Sequence, residues 1–264
     1  MSAFAVLLSS IFCLFTLICI GLSMLTWLYY KRKTEFEVKA RNLREYRYFI
    51  QPFFRPDRSM ISYELILREF DHKSRKWIVP YNVKHFPVDR LIIAVKDIQS
   101  FIPGDTNSIS INMTVSQCID YQAEYFFKWV IGILDNQKLN VEINADELMH
   151  LSRWRQIRLR KILIKMNQVG ILVAVRNIGS EDEYYQKLSP YAYFIDHYCI
   201  SARHFNFRKT VLMKKWQKLS EEHQKPLVLT GIDTVQVKNF ADKFNITIRQ
   251  GMYYSDLTPI RRSN

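Results

Sequence analysis

The chain lacks the residue patterns that mark several common classes of protein. Its 264 residues include four cysteines without a Cys-x-x-Cys pair or a Cys/His cluster, so neither a disulfide framework nor a zinc site is indicated. Only seven glycines occur, and neither GxGxxG nor GxxxxGK[ST] is present. These absences argue against a dinucleotide-binding fingerprint and a P-loop.

Charge is missing from the first thirty residues, and charged residues follow directly. The apolar run Ala3–Tyr30 exceeds the ~20 residues that a membrane-spanning helix needs, and Lys31–Lys33 comes immediately after it. By the positive-inside rule, this pattern predicts a single-pass cell-membrane protein with its N-terminus outside and its C-terminal domain in the cytoplasm. A cleaved signal peptide would carry positive charge before the run, so we interpret the segment as a retained anchor.

All 38 basic and 25 acidic residues follow residue 30, so the rest of the chain carries the whole net charge of +13. This charge suits an anionic membrane, nucleic acid or phosphate ligands. We divide the chain into a transmembrane anchor at residues 1–30, a basic juxtamembrane linker at 31–47 and one domain at 48–264. The basic linker is well placed to lie against acidic headgroups. Its positive charge is explained equally well by solubility and by the positive-inside topology.

Short β-branched or aromatic runs alternate with longer amphipathic runs after residue 47, which is typical of strands separated by helices. Strands are predicted at Tyr48–Phe54, Met60–Leu67, Ile109–Met113, Leu139–Ile143, Ile171–Val175, Tyr193–Ile195, Leu227–Leu229 and Ile246–Ile248. Helices are predicted at Val88–Phe101, Tyr121–Leu134, Leu151–Gln168, Arg208–Glu222 and Thr234–Phe244. Eight strands with intervening helices predict an α/β protein, a TIM-like (β/α)8 barrel whose first two strands form a hairpin.

The predicted helix Leu151–Gln168 carries six Lys or Arg residues. Such a helix suits a membrane surface or RNA, but the favoured interpretation is the solvated face of a barrel helix. No RNA-binding aromatic motif accompanies it, so no nucleic-acid partner is expected.

Polar side chains interrupt the apolar runs near the ends of the predicted strands. In a parallel barrel these ends meet at one mouth, where chemistry and ligand contact take place. Carboxylate and amide oxygens among them are the ligands that Mg²⁺ or Mn²⁺ requires. The candidate ligand-binding residues are Glu64, Arg68, Asn112, Glu142, Arg176, Asp196 and Gln250.

Short segments across the domain resemble, in order, the motifs of the EAL domain, the cyclic-di-GMP phosphodiesterase fold of bacterial signalling. The stretch IQPFF resembles its YQP strand, YELILR its EALLR signature, SINMT its INLS strand, VEIN its EITE strand and RQGMYYS its QGY segment. The resemblance covers Tyr48 to Ser255, and no GGDEF domain is present. It implies a (β/α)8 barrel with one antiparallel strand that binds two divalent metals and hydrolyses cyclic-di-GMP to linear pGpG.

By the same resemblance, three of the candidate residues match metal ligands, namely Glu64, Asn112 and Glu142. Arg68 matches a phosphate contact, and Gln250 matches a residue late in the site. The EAL-type barrel mouth is therefore expected to be assembled from these positions.

Other positions depart from the family pattern. The paired aspartates of its DDFG motif fall at Arg176-Asn177, the lysine of its KID motif falls at Phe194 with Asp196 retained, and a glutamate of EGVE falls at Thr230. A cation beside a metal position repels the metal by several kcal/mol, at about 4 kcal/mol per unit charge pair ~4 Å apart. These departures predict that the Mg²⁺/Mn²⁺ site is lost, that no cofactor is bound, and that the chain is a pseudoenzyme.

Arg176 is expected to occupy the vacated metal region and to pair with Glu64 and Glu142, because a guanidinium can bridge two carboxylates. Three functions follow, in order of preference. The first is an inactive protein-interaction or regulatory module, with a homodimer left open. The second is a metal-independent cyclic-di-GMP receptor using Arg68, Arg176 and Gln250. The third is a phosphodiesterase with residual activity.

Overall fold

The computed structural model describes residues 3–41, 46–80, 106–134 and 137–260. It also describes the helical residues 88, 91, 92, 95 and 96. Most of the predicted helix Val88–Phe101 lies outside these described residues. The rest of the predicted elements can be compared with the structure directly.

The N-terminal segment is a single long helix, α1, at Ala3–Arg41. Its stretch Leu7–Lys31 is long and apolar enough to cross a membrane, and none of it is buried against the rest of the protein. The helix does not end at residue 30 but continues through the first part of the predicted linker. The end of the helix therefore does not coincide with the predicted boundary between anchor and linker.

The strands form one sheet that closes into a barrel. The order is β10-β1-β9-β8-β7-β6-β5-β4-β2-β3, and the additional pairing of β1 with β2 closes it. β1 runs antiparallel to β2 and β9, whereas β2 and β4 to β9 pair in parallel. The strands are β1 Tyr46–Phe54, β2 Met60–Asp71, β3 Lys76–Ile78, β4 Ser108–Asn112, β5 Lys138–Asn144, β6 Leu172–Ile178, β7 His197–Ser201, β8 Leu227–Thr230, β9 Ile248–Arg249 and β10 Thr258–Pro259.

The two short strands β3 and β10 lie outside the closed ring, so the barrel itself has eight strands. The predicted fold class, a (β/α)8 barrel with one antiparallel strand after an apolar N-terminal helix, is confirmed. The further helices are α2 Val115–Cys118, α3 Ala123–Leu134, α4 Ala145–Met149, α5 Arg153–Gln168, α6 Asp182–Leu188, α7 Thr210–His223 and α8 Val235–Lys243.

The core lies between the strands and the helices that cover them. In α5, Leu159, Leu163 and Met166 recur every three or four residues and are the buried side chains of the helix. They belong to one cluster with Ile109 and Val141 from the strands. Each such side chain contributes roughly 1.5–3 kcal/mol to folding when it leaves water. Helical spacing therefore packs one side of α5 and leaves the opposite side outward.

One predicted strand is wrong. The run Tyr193–Ile195 is not a strand, and β7 begins only at His197. A 3₁₀ turn at Ser189–Tyr191 precedes this run, and Phe194 N–H donates to Tyr191 O in a continuing turn. Ile195 is buried and Phe194 packs partly against the core, whereas Tyr193 is exposed. Composition alone does not distinguish such a turn from a short buried strand.

Candidate functional site

Four of the candidate residues meet inside the carboxyl-terminal mouth of the barrel. Glu64 on β2 is only 2 % exposed, and it accepts hydrogen bonds from Asn112 Nδ2 at 2.7 Å and Gln250 Nε2 at 2.8 Å. Asn112 lies on β4, and Glu142 on β5 pairs in register with it and is as buried as Glu64. Parallel strands bring these positions together because their carboxyl ends share one rim of the barrel.

Arg176 lies between the two carboxylates. Its Nη1 is 3.0 Å from Glu64 Oε1 and also donates to Asn112 Oδ1, and its Nε is 3.8 Å from Glu142 Oε2. The expected pairing of Arg176 with Glu64 and Glu142 is therefore found. The side chain is 27 % exposed, so it can contact a ligand above while it pairs with the acids below.

A bulge in β6 places Arg176. The register with β7 shifts between Val175 and Ile178, and Asn177 adopts a left-handed backbone with φ of 59°. Asparagine is among the residues that tolerate this conformation best. β-Bulges bend a strand locally and redirect the neighbouring side chain, which is the arrangement seen at Arg176.

The ionisation of the cluster is unequal. Burial, together with the neighbouring carboxylate of Glu64, raises the pKa of Glu142 to about 8, although Arg176 acts in the opposite direction. Burial opposes the charge on Arg176, but Glu64 and Glu142 outweigh it and hold the pKa of Arg176 above its usual value. The site therefore favours a proton on Glu142 and keeps the positive charge on Arg176.

The arrangement does not fit a divalent metal between Glu64 and Glu142. Both oxygens of Glu64 already accept hydrogen bonds from nitrogen donors, and the guanidinium of Arg176 contacts the same oxygens that a metal would need. A dication there would face a fixed positive charge. Within the described ranges, no group of three or more His, Cys, Asp or Glu residues could hold a metal ion.

Two more arginines lie at the mouth, and the sequence pattern pointed to only one of them. Arg68 is half-buried, and its pKa is lowered by burial and by the charges of Arg176 and Arg203, with Glu64 opposing. Arg203 follows the carboxyl end of β7 and pairs with Asp233 Oδ2 at 3.2 Å. Its position two residues after the strand would have indicated it, but the end of β7 was misplaced in the sequence-based prediction.

Gln250 is held in place by the glycine that follows it. Gly251 has φ of 156°, and a Cβ built on it would lie 2.2 Å from Ile232 O and 2.3 Å from Ile232 N. Ile232 N–H in turn donates to Gln250 O at 2.9 Å. Only glycine permits this close approach of two backbone segments. The Gln-Gly pair therefore positions the amide that binds Glu64.

Asp196 does not belong to the mouth, which corrects its assignment as a site residue. It precedes β7, and its carboxylate accepts from Val173 N at 2.8 Å and pairs with Lys225 Nζ at 2.9 Å. These contacts lie where β6, β7 and β8 begin, whereas the site lies where the strands end. The cause is the misplaced strand. Asp196 follows the predicted strand Tyr193–Ile195 but precedes the observed β7, so the prediction put it at the opposite end of the barrel.

The same shift corrects the position assigned to Phe194. Phe194 lies in the turn before β7, and the carboxyl half of β7 is formed by Cys199, Ile200 and Ser201. Cys199 is buried inside the barrel. Thr230 does lie at the end of β8, as expected.

Comparisons with known proteins identify the fold. No family model matches the chain, and no curated protein matches it. Solved structures of EAL-domain proteins do match: the EAL enzyme Bd1971 with bound cAMP and cyclic-di-GMP has a TM-score of 0.66 at 15% identity, covering 91% of this chain and 69% of that one. This protein has the EAL-domain fold, the fold of cyclic-di-GMP phosphodiesterases.

Two further structures agree. The PaMucR phosphodiesterase in complex with cyclic-di-GMP has a TM-score of 0.64 at 15% identity, with coverage of 86% of this chain and 98% of that one. An EAL-domain protein from Listeria monocytogenes has a TM-score of 0.61 at 16% identity, with coverage of 85% and 94%. The resemblance seen in the short motifs is therefore confirmed at the level of the fold.

The expectation that the chain is not an enzyme is corrected by these comparisons. Structures with the same fold over most of this chain are described as an EAL enzyme and as a phosphodiesterase. The substitutions at Arg176, Asn177, Phe194 and Thr230 were too narrow a basis for excluding enzymatic activity, because activity depends on the whole site.

Proposed function

We propose that the mouth of this barrel binds cyclic-di-GMP without a metal ion, making the chain a membrane-anchored receptor domain in cyclic-di-GMP signalling. The observation that carries the proposal is the grouping of Arg176 and Arg203 near Arg68 at the carboxyl ends of the strands, with Arg176 paired to Glu64. Bd1971 and PaMucR, which share the fold, are described with cyclic-di-GMP bound.

The three arginines differ in their availability to a phosphate. Arg176 is already paired with Glu64, so it supplies a neutralised, fixed donor at the base of the mouth. Arg68 lies close enough to Arg176 and Arg203 for their charges to lower its pKa, and an anion would relieve this repulsion. Arginine binds phosphate through charge-assisted, often bidentate hydrogen bonds. Arg68 is therefore the residue on which ligand affinity should depend most.

A second candidate function is residual hydrolysis of the bound dinucleotide. The observation that favours it is the convergence of Glu64, Asn112, Glu142 and Gln250, each of which lies in a segment that resembles a motif of the EAL domain. Turnover is therefore measured alongside binding. Orientation of the barrel in the cytoplasm, a protein partner and a homodimer stay predictions.

The test is isothermal titration of the full chain in lipid nanodiscs with cyclic-di-GMP, with EDTA or with Mn²⁺ present. We expect binding at micromolar strength or better in EDTA, and a loss of at least tenfold for Arg68→Ala. Arg55→Ala, which removes an exposed arginine next to the turn between β1 and β2, is the matched control and should bind normally.

Chromatography of the same samples for linear pGpG separates the two candidates. Binding without product supports the receptor. Product that appears only with Mn²⁺ and disappears in Glu64→Ala supports hydrolysis and contradicts metal-independent action. No binding in either condition refutes both.

A further inference from the structure

Helix α5 presents an unusual outward face. Its sixteen residues include six Lys or Arg and no acidic residue, and the inward side is formed by Leu159, Leu163 and Met166. We define the basic face of α5 as the exposed residues on the opposite side: Arg153, Trp154, Ile157, Arg158, Lys161, Ile164 and Lys165.

Three large apolar side chains lie among the cations on this face. Trp154 is 76% exposed, Ile157 51% and Ile164 44%. On a helix, positions three and seven residues apart lie on the same side, so the three form one stripe. A helix face that is merely solvated carries polar side chains there. A stripe of Trp and Ile flanked by Lys and Arg is typical of helices that lie in the membrane interface.

The neighbouring helix extends the exposed aromatic surface. Lys165 Nζ is 2.5 Å from Glu124 Oε1 on α3, which joins the two helices. Tyr121 and Tyr125, on either side of Glu124 in the chain, are 71% and 73% exposed. Tyrosine and tryptophan favour the level of the lipid headgroups because their rings are apolar and their tips are polar.

We propose that the basic face of α5 binds the anionic lipid headgroups of the membrane that α1 is suited to span. Charge complementarity selects this partner: the face is positive, and the cytoplasmic leaflet of a membrane is negative. The tether matters because a barrel attached to the membrane meets its surface at high effective concentration, so even a modest intrinsic affinity produces docking. This inference is independent of whether the mouth binds cyclic-di-GMP.

The cations on this face are not all equally free to act. Arg158 donates to Ile119 O at 3.1 Å, and Arg155, which lies beside the face, donates to Ser116, so both arginines also hold α5 against the preceding segment. Arg153 and Lys161 are exposed and enter no ion pair or hydrogen bond found among the described residues. The double variant Arg153→Gln/Lys161→Gln therefore removes two charges while leaving the packing of α5 intact.

The test places an environment-sensitive fluorophore on the face. The variant Ile157→Cys is labelled in the full chain, reconstituted in nanodiscs of phosphatidylcholine alone or with 30% phosphatidylglycerol, and read by quenching from brominated lipids. Native thiols interfere little, since Cys118 and Cys199 are buried and Cys13 and Cys19 lie in the apolar helix. We expect strong quenching with the anionic lipid at low salt, and its loss near 1 M salt, where charges are screened within about 3 Å.

Matched controls decide between docking and other causes. Each basic residue near an anionic surface contributes about fivefold in affinity, so Arg153→Gln/Lys161→Gln should lower the docked-to-free ratio by about 25-fold. Arg208→Gln/Lys214→Gln, the same charge change at exposed positions at and before α7, should lower it far less. A label at Val211→Cys on α7, where the native side chain is 70% exposed, should show no quenching.

Three results would overturn the proposal. The first is equal quenching at position 157 in neutral and anionic nanodiscs. The second is equal sensitivity to the two charge variants. The third is a fluorescence change that depends on the number of chains per nanodisc and not on lipid charge, which would assign the face to contact between two copies of the chain.

Discussion

Arg176 Nη1 lies 3.0 Å from Glu64 Oε1, which joins the DDFG-like strand to the EAL-like strand by an ion pair at the centre of the mouth. Asn112 and Gln250 also donate hydrogen bonds to Glu64, so three strands and the segment that follows β9 meet at one carboxylate. Removing any member should affect the others, because buried polar networks depend on complete pairing.

Removal of the cation alone should destabilise the barrel. In Arg176→Met, Glu64 stays buried without its positive partner, and breaking a buried ion pair in this way costs about 3–5 kcal/mol. The double variant Glu64→Gln/Arg176→Met removes both charges and should recover much of the loss. Thermal unfolding of the full chain, followed by near-ultraviolet circular dichroism, measures both. Equal melting temperatures for Arg176→Met and the wild type would contradict the ion pair.

Stability should fall as the pH rises through the pKa of Glu142. The folded protein keeps this proton up to about pH 8, whereas the unfolded chain releases it near the usual glutamate pKa of 4.5. Between these values the folded state binds more protons, so raising the pH favours unfolding. The stability that this proton contributes is complete below about pH 4.5, falls as the pH rises, and is lost above about pH 8. Melting temperatures at pH 7 and 9 measure the change.

Glu142→Gln is the control for this pH dependence, because glutamine is neutral throughout. We expect the fall in melting temperature between pH 7 and 9 to be clearly smaller in the variant. The range avoids His197, whose pKa is lowered by burial and which therefore stays neutral above pH 7. An identical slope in the two proteins would show that another group is responsible.

Gly251→Ala should disrupt the end of the barrel. The new Cβ would lie 2.2 Å from a backbone oxygen of Ile232, and neither backbone can move without displacing Gln250. We expect a loss of several kcal/mol in unfolding free energy, at the high end for single substitutions. Gly132→Ala is the matched control: no atom lies within 4 Å of its Cβ position, so it should be neutral or stabilising by up to about 1 kcal/mol.

Asp196→Asn should separate a structural residue from a site residue. The ion pair with Lys225 and the bond to Val173 N hold the beginning of β7, so the variant should lose about 1–3 kcal/mol of stability. Its affinity for cyclic-di-GMP should equal that of the wild type at a temperature where both are folded. Loss of binding without loss of stability would return Asp196 to the site.

Motifs in the sequence were sufficient to predict the barrel and most of its mouth. Glu64, Asn112 and Glu142 each stand near the end of an apolar run, and strand ends of a parallel barrel must share one rim. Arg203 was missed and Asp196 misplaced for one reason. The apolar turn at Tyr193–Ile195 has the composition of a strand, and only its hydrogen bonds show that it is not one.

The sequence by itself determined the apolar N-terminal helix and the order of strands and helices. These follow from hydrophobic periodicity and residue type, which are local properties of the chain. Only the tertiary structure decided which side chains meet. The distances from Arg176 to Glu64 and Glu142, and the exposure of Trp154 and Ile157 beside their cations, depend on strand register and helix rotation. Those are set by packing between segments far apart in the chain.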